Sequence, residues 1–279
     1  MKTFLECKIY TKPFNAELIS GLLWELSPLG ILEEQNHLIV NFDDSMTEQR
    51  VFSFLESLQT TGQYESFSFE TATYSEKNWN EEWEKNLNII KVTDKITIKP
   101  SSKTYEAGAG EIVITIDPKM SFGTGEHQTT KIMLSFCEKY VTPNTTILDV
   151  GTGTGVLAIA AVLLGAKYAL GIDNDEWCYE NALENIEQNN VKGKVEFQLA
   201  EITAIQAKLF DVVLANIQKD VLLTIANALY SITRNGGLLI LSGLLSTDEE
   251  DIVKTYTNLG MNFIDKIQLD EWIGLVLQK

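Results

Sequence analysis

The sequence predicts an α/β protein: a mostly parallel sheet with helices on both faces, preceded by a small α+β domain. Three observations predict it. Residues 146–161 run from a short apolar strand through three alternating glycines into an apolar helix, the first half of a βαβ unit. A second apolar strand, Tyr168–Asp173, ends in an acid 22 residues beyond Gly151. Upstream, residues 3–71 carry the order βαββαβ, which suggests a ferredoxin-like split βαβ domain.

In that first domain Thr3–Tyr10 alternates, with Leu5, Cys7 and Ile9 on one face of a strand. Asn15–Leu26 repeats Leu18, Ile19, Leu22, Leu23 and Leu26 at helical spacing, and Pro28 and Gly30 stop it. Ile31–Gln35 and His37–Phe42 are strand-like runs separated by Asn36. Thr47–Leu58 is a second helix through Val51, Phe54, Leu55 and Leu58, and Tyr64–Thr71 alternates as the closing strand. Nothing in the domain looks catalytic, and His37 fits a strand histidine better than a ligand.

Tyr74–Asn86 is a polar helical connector that places Trp79 and Trp83 at i, i+4. Two tryptophans on one face of a charged helix must dock on something. The expected boundaries are therefore residues 1–72 for the first domain, 73–100 for the connector and 101–279 for the main domain. Lys95–Lys99 and Glu111–Ile116 are strand-like segments ahead of the glycine turn.

Beyond Asp173 the alternation continues. Glu176–Asn189 is a helix, Lys194–Leu199 a strand, and Phe210–Ala215 an apolar strand ending at Asn216. Gln218–Thr233 is a helix closed by Gly236 and Gly237, and Leu238–Leu241 is the next strand. Thr247 caps a helix that runs to Leu259 before Gly260, and Met261–Ile267 with Glu271–Leu277 form a hairpin. The expected result is a seven-stranded, mostly parallel sheet with an antiparallel final strand.

Composition narrows the function. A chain of 279 residues that is 44% hydrophobic buries a proper core and is not disordered. With 22 basic and 39 acidic residues the net charge is −17. A field of that sign repels nucleic acid and anionic membrane and attracts a basic partner. Three scattered cysteines, Cys7, Cys137 and Cys178, offer neither a disulfide framework nor a paired metal motif, and two histidines make a histidine metal site improbable. No signal-like segment or long apolar run appears. A reducing compartment and a soluble protein are expected.

The chemistry starts at the turn. Gly151, Gly153 and Gly155 let a ligand approach the backbone at the carboxyl end of the strand, where open α/β sheets bind. Unsatisfied amides at the helix start favour an anionic or hydrogen-bonding group. Asp173 can accept both hydroxyls of a ribose, so turn and acid together point to a nucleoside-containing ligand. A dinucleotide fingerprint would put its third glycine at position 156, which is Val156 here. That mismatch disfavours a nicotinamide oxidoreductase. Asp175 reads as a helix cap.

Asp149-Val-Gly-Thr-Gly-Thr-Gly155 followed by Gly171-Ile-Asp-Asn-Asp175 resembles the donor site of Rossmann-type methyltransferases that use S-adenosylmethionine. Met120-Ser-Phe-Gly-Thr-Gly-Glu-His-Gln-Thr-Thr130 is similar to the Phe-Gly-Thr-Gly-x-His-x-Thr-Thr signature of the ribosomal protein L-11 methyltransferase family (PrmA type), and the resemblance spans the whole chain. It implies a Rossmann-like seven-stranded methyltransferase domain behind a ferredoxin-like substrate-recognition domain. It also implies S-adenosylmethionine as methyl donor without a metal, contacts from Thr130, Gly151, Asp173 and Asn216, and Gly153 beside them. Phe122 is either a cover over the ligand or core. His127 is the nearby titrating residue, either a base or a brace for the loop.

The acceptor implied is ribosomal protein L-11, through lysine side chains and the N-terminal amine, in the cytoplasm, with no direct nucleic acid or membrane binding. Enzymes that methylate planar nitrogens often carry Asn/Asp-Pro-Pro-aromatic after strand four; this chain has Asn216-Ile217-Gln218-Lys219, which suits an aliphatic amine. Two departures from the family pattern stand out: Pro100-Ser101-Ser102 where Pro-Ser-Trp is usual, and Gln128 where many members have proline. The rival readings are a methyltransferase of another protein or small-molecule amine, a nicotinamide oxidoreductase, and a non-catalytic sensor of the donor.

Overall fold

The computed structural model describes residues 3–75, 87–119, 121–205 and 208–279, and the chain divides into compact units Met1–Trp79 and Asn80–Lys279. The helix expected around Trp79 and Trp83 lies outside the described residues.

In the first unit β1 (Thr3–Lys12), α1 (Ala16–Leu23), β2 (Gly30–Glu33), β3 (Leu38–Phe42), α2 (Glu48–Thr60) and β4 (Ser66–Ser75) follow in order. The sheet order is β2-β3-β1-β4 with every pair antiparallel, the βαββαβ arrangement. Cys7 pairs with Val40 and Ile9 with Leu38, and this apolar face is buried beneath Ile19, Leu23, Val51 and Leu55. Each helix starts at a side-chain cap: Asn15 accepts the Leu18 amide at 3.1 Å and Thr47 the Arg50 amide at 3.3 Å. The last expected turn of α1 is a 3₁₀ turn, Trp24–Leu26. Strand β4 runs to Ser75, beyond the expected Thr71, because β1 offers it pairing partners from Lys12 back to Thr3. His37 stacks its ring on Tyr10 at 4.9 Å between centroids.

The second unit begins with a small sheet of β5 (Ile90–Lys91), β6 (Ile96–Lys99) and β7 (Ile112–Thr115), β6 and β7 running parallel. Ser102 stands where the family tryptophan would; beside it Ser101 donates its amide to Asp117 at 2.8 Å, and Lys103 closes a turn on the Pro100 carbonyl.

The main sheet comprises β8 (Thr146–Val150), β9 (Tyr168–Asp173), β10 (Val195–Leu199), β11 (Phe210–Asn216), β12 (Thr233–Leu245), β13 (Asn262–Leu269) and β14 (Trp272–Gln278). Its order is β10-β9-β8-β11-β12-β14-β13, with β14 antiparallel to both neighbours. The chain winds outward from β8 through β9 to β10, then returns to place β11 on the other side. The switch point therefore lies between β8 and β11, and the crevice at their carboxyl ends is where such sheets take ligands.

Helices α3 (Gln128–Tyr140), α4 (Val156–Leu163) and α5 (Glu176–Gln188) bury Ile132, Phe136, Ile159 and Ala182 against one face. Helices α6 (Lys219–Thr224), α7 (Ala226–Ile232) and α8 (Glu249–Asn258) bury Leu222, Leu229, Ile252 and Tyr256 against the other. Three local expectations are corrected. The helix expected over Gln218–Thr233 divides at Ile225, whose ψ of 10° leaves the helical basin. Strand β12 starts at Thr233, not Leu238, with Gly236 and Gly237 paired to the chain's last residue, Lys279. Thr247 caps nothing: it sits in a 3₁₀ turn, and Asp248, which pairs with Lys219 at 3.3 Å, accepts the Leu245 amide at 2.9 Å.

Candidate functional site

Strand β8 delivers the chain to the switch point at Val150, and the turn that follows is tied to the neighbouring strand. The amides of Gly151 and Thr152 both donate to the Ile172 carbonyl, at 2.9 and 3.1 Å. Gly151 holds φ +69°, and a Cβ there would lie 2.6 Å from the Ile217 side chain. Gly153 holds φ +54°, and its Cβ would fall 2.3 Å from the Phe122 carbonyl oxygen. Side chains are excluded at both positions by conformation and by space. Gly155 is the N-cap of α4, so the helix begins at Val156. The displaced third glycine of the sequence is thus a cap, not a packing residue of a dinucleotide fold.

Asp173 closes β9 and locks onto this turn. Its Oδ2 accepts the Gly153 amide at 3.0 Å, while Oδ1 accepts the Asp175 amide at 3.2 Å. Asp175 in turn caps α5 through the Trp177 amide at 2.9 Å, as its sequence position suggests. A cleft of about 280 Å³ opens here, lined among others by Gly151, Asp173, Asn174, Glu201, Ile202 and Ile217.

The signature loop folds over the same turn. Phe122 accepts the Thr154 amide on its carbonyl at 3.0 Å, and the Thr154 hydroxyl donates to the Gly123 carbonyl at 2.9 Å. His127 is the N-cap of α3: its Nδ1 accepts the Thr129 amide at 3.3 Å and lies 2.8 Å from the Thr129 hydroxyl oxygen. Thr130 is on the first turn of α3 and is buried. Its hydroxyl and the Oδ1 of Asn216, at the carboxyl end of β11, are both buried without a hydrogen-bond partner among the described residues. Buried polar atoms normally have partners, so two orphans beside the switch point suit a bound polar molecule.

The structure therefore gathers Gly151, Gly153 and Asp173 into one hydrogen-bonded turn, with Gly151 and Asp173 on the cleft wall. Thr130 and Asn216 do not line that cleft; each presents an orphan atom instead. Asp149 lies beneath the turn, fully buried, with one oxygen accepting the Thr152 hydroxyl at 2.6 Å and the other unpartnered. Burial pushes its carboxyl up to about 7, helped by the nearby charge of Asp173.

Several supports escape the sequence motifs. Asn185, buried on α5, donates to the Thr154 carbonyl at 3.0 Å and accepts the Asp117 amide at 3.1 Å, bracing the glycine turn from below. Trp272 opens β14 and meets His127 edge-on, with ring centroids 4.7 Å apart. A polar residue recurring on the buried side of an otherwise amphipathic helix was the available signal for Asn185. Trp272 had none.

A family model described as ribosomal protein L11 methyltransferase (PrmA) matches residues 14–279. The chain belongs to this family. Among curated relatives, the ribosomal protein L11 methyltransferase of Streptococcus pneumoniae serotype 4 is 31% identical over all of this chain and 97% of its own length. That of Desulforapulum autotrophicum is 34% identical over 75% of this chain and 69% of the relative. The crystal structure of a ribosomal protein L11 methylase from Lactobacillus delbrueckii subsp. bulgaricus superposes with a TM-score of 0.64, at 30% identity, over 68% of this chain and 98% of that one. Family membership makes the chain a methyltransferase with the methyltransferase α/β fold. Among the described residues, no helix is long and apolar enough to cross a membrane.

Proposed function

We propose that this methyltransferase moves the methyl group of S-adenosylmethionine onto lysine side-chain and N-terminal amines of ribosomal protein L-11. The observation that carries the donor assignment is the Asp173 carboxylate clamped to the Gly153 amide beside the switch point. Asp173 holds the ribose hydroxyls, Gly151 and Gly153 admit the donor against bare backbone, and Thr130 and Asn216 give their orphan atoms to it or to the incoming amine. The acidic chain, at −17, attracts a basic acceptor protein. On this reading residues 1–72 recognise the acceptor, 73–100 connect, 101–279 carry out the transfer, and the setting is the cytoplasm.

When bound, S-adenosylmethionine supplies a sulfonium methyl, which an amine lone pair takes as the carbon–sulfur bond breaks toward sulfur. An alkylammonium of pKa about 10.4 must first lose its proton, and desolvation in the crevice lowers that pKa. The chain's contribution is alignment and exclusion of water. His127 serves as a brace: its Nδ1 meets the Thr129 amide at 3.3 Å and the Thr129 hydroxyl at 2.8 Å, which fixes the ring at the start of α3. The charge change is complete within donor and acceptor, so the reaction needs no metal.

The test is label transfer from methyl-labelled S-adenosylmethionine to purified ribosomal proteins. Label confined to L-11, on peptides bearing lysine or the N-terminus, supports the proposal. Label on another protein removes the L-11 assignment, and label on none removes the acceptor class.

A further inference from the structure

Three aromatic rings stand in a row beside the switch point, and the donor assignment uses none of them. Phe122 lies 5.8 Å from His127 between centroids, and His127 lies 4.7 Å from Trp272, tilted by 70°. Phe122 is 57% exposed, an unusual state for a phenylalanine fixed by its own backbone to a buried turn. The row is held from both ends. Its first member is tied to the glycine turn through the Thr154 amide, and Gln128, which opens α3 next to His127, donates to Asp270 in the hairpin that carries Trp272, at 3.1 Å.

Strand alternation places Trp272 and Asn216 on the same side of the sheet. Ala215 and Ile273 both point into the core beneath α6–α8, so their neighbours Asn216 and Trp272 point to the opposite face, that of α3. Asn216 pairs with Ser242, whose hydroxyl donates to the Ile273 carbonyl at 2.8 Å. Two strand spacings, roughly 10 Å, separate β11 from β14 across the sheet, and Trp272, paired with Leu245, stands further toward the carboxyl end of β12 than Ser242. The span from Asn216 to Trp272 has a polar acceptor atom with no partner at one end and an aromatic wall at the other.

We infer that Phe122, His127 and Trp272 form the wall that receives the acceptor ammonium, with Asn216 Oδ1 accepting one of its N–H groups. Aromatic faces attract alkylammonium ions through the ring quadrupole, most strongly for tryptophan. The wall takes an amine on its way in and discriminates against neutral side chains. The position favours acceptor over donor, because the ribose clamp Asp173 is on β9 while Trp272 is on β14, on the far side of β8 and β11. This inference rests on the amine-methylation reading of the same site.

Onium recognition has two sources here, the acceptor ammonium and the donor's sulfonium, and the experiment separates them. The full chain, saturated with S-adenosylhomocysteine, is titrated with an acetylated trimethyllysine amide and with its neutral tert-butyl isostere. The wild type is expected to prefer the cation at least tenfold, Trp272→Leu and Phe122→Leu to lose the preference, and Trp272→Phe to keep most of it. In turnover, Trp272→Leu should raise KM for the acceptor about tenfold and leave kcat within about threefold. Equal binding of the two probes by the wild type, or no binding of either, overturns the inference. A fall in the ratio of S-adenosylmethionine to S-adenosylhomocysteine affinity in Trp272→Leu, with the probe preference intact, assigns the wall to the donor and overturns it too. Phe122→Leu, on an exposed side chain, keeps the test valid if Trp272→Leu fails to fold. Cation preference without methyl transfer to L-11 supports the wall and removes only the L-11 assignment.

Discussion

The Phe122 carbonyl accepts the Thr154 amide at 3.0 Å, so the signature loop is hydrogen-bonded to the glycine turn it covers. Loop and turn are one structural object. The proposed donor site needs both halves in place.

Gly153 is where they touch most closely. Alanine there would put Cβ 2.3 Å from the Phe122 oxygen at φ +54°, and the backbone alone costs about 1–2 kcal/mol. Gly153→Ala should lower the melting temperature and weaken S-adenosylmethionine more than tenfold. Calorimetry beside thermal unfolding reads both, and unchanged affinity would show that the loop can leave the turn without consequence.

Asn185 supports the turn from the opposite side. Asn185→Ala strips a buried partner from the Thr154 carbonyl and another from the Asp117 amide. Leaving such groups unsatisfied costs about 1–3 kcal/mol each, so urea unfolding should show a loss of that order. Asn185→Asp, which sets a buried carboxylate against the Thr154 carbonyl oxygen, should cost at least as much.

Asp149 sets a pH dependence. Its folded carboxyl lies near 7 against an ordinary value of 3.8, so from about pH 4 to about 7 the folded state binds more protons than the unfolded one. Stability from this group therefore falls as pH rises through that window and is constant above it. Asp149→Asn should flatten the decline in unfolding free energy between about pH 4 and pH 7. A variant that declines as steeply as the wild type would mean that Asp149 is ionised throughout.

His127 separates brace from base. Asparagine is a good N-cap acceptor, so His127→Asn should keep kcat within about tenfold at saturating acceptor, whereas removing a general base costs about 10²–10⁴. Rapid-quench turnover of His127→Asn decides between the two.

Most of the scaffold was legible because it is local. Leu5, Cys7 and Ile9 alternate, Val51, Leu55 and Leu58 recur at helical spacing, and Asp173 ends an apolar run at a fixed distance from the turn. The turn was legible where chemistry and spacing coincide, at Gly151, Gly153 and Asp173, which the structure joins through the Ile172 carbonyl and the Gly153 amide. What escaped is set by distance along the chain. The Thr154 hydroxyl bond to Gly123 joins residues 31 apart, and Trp272 reaches His127 only after the hairpin folds back. The break at Ile225 escaped for a different reason: the apolar period continues across it, and α6 and α7 bury Leu222 and Leu229 in the same core. The cap misassigned to Thr247 fell to an ion pair, Asp248 with Lys219, which composition does not reveal.

The central claim is that a nucleoside methyl donor is clasped by Asp173 over the glycine turn. Calorimetric titration of S-adenosylmethionine into the wild type and Asp173→Ala tests it most directly. Saturable binding by the wild type, weakened more than tenfold in the variant, is the predicted result. Equal affinities, or no binding by the wild type, would contradict it.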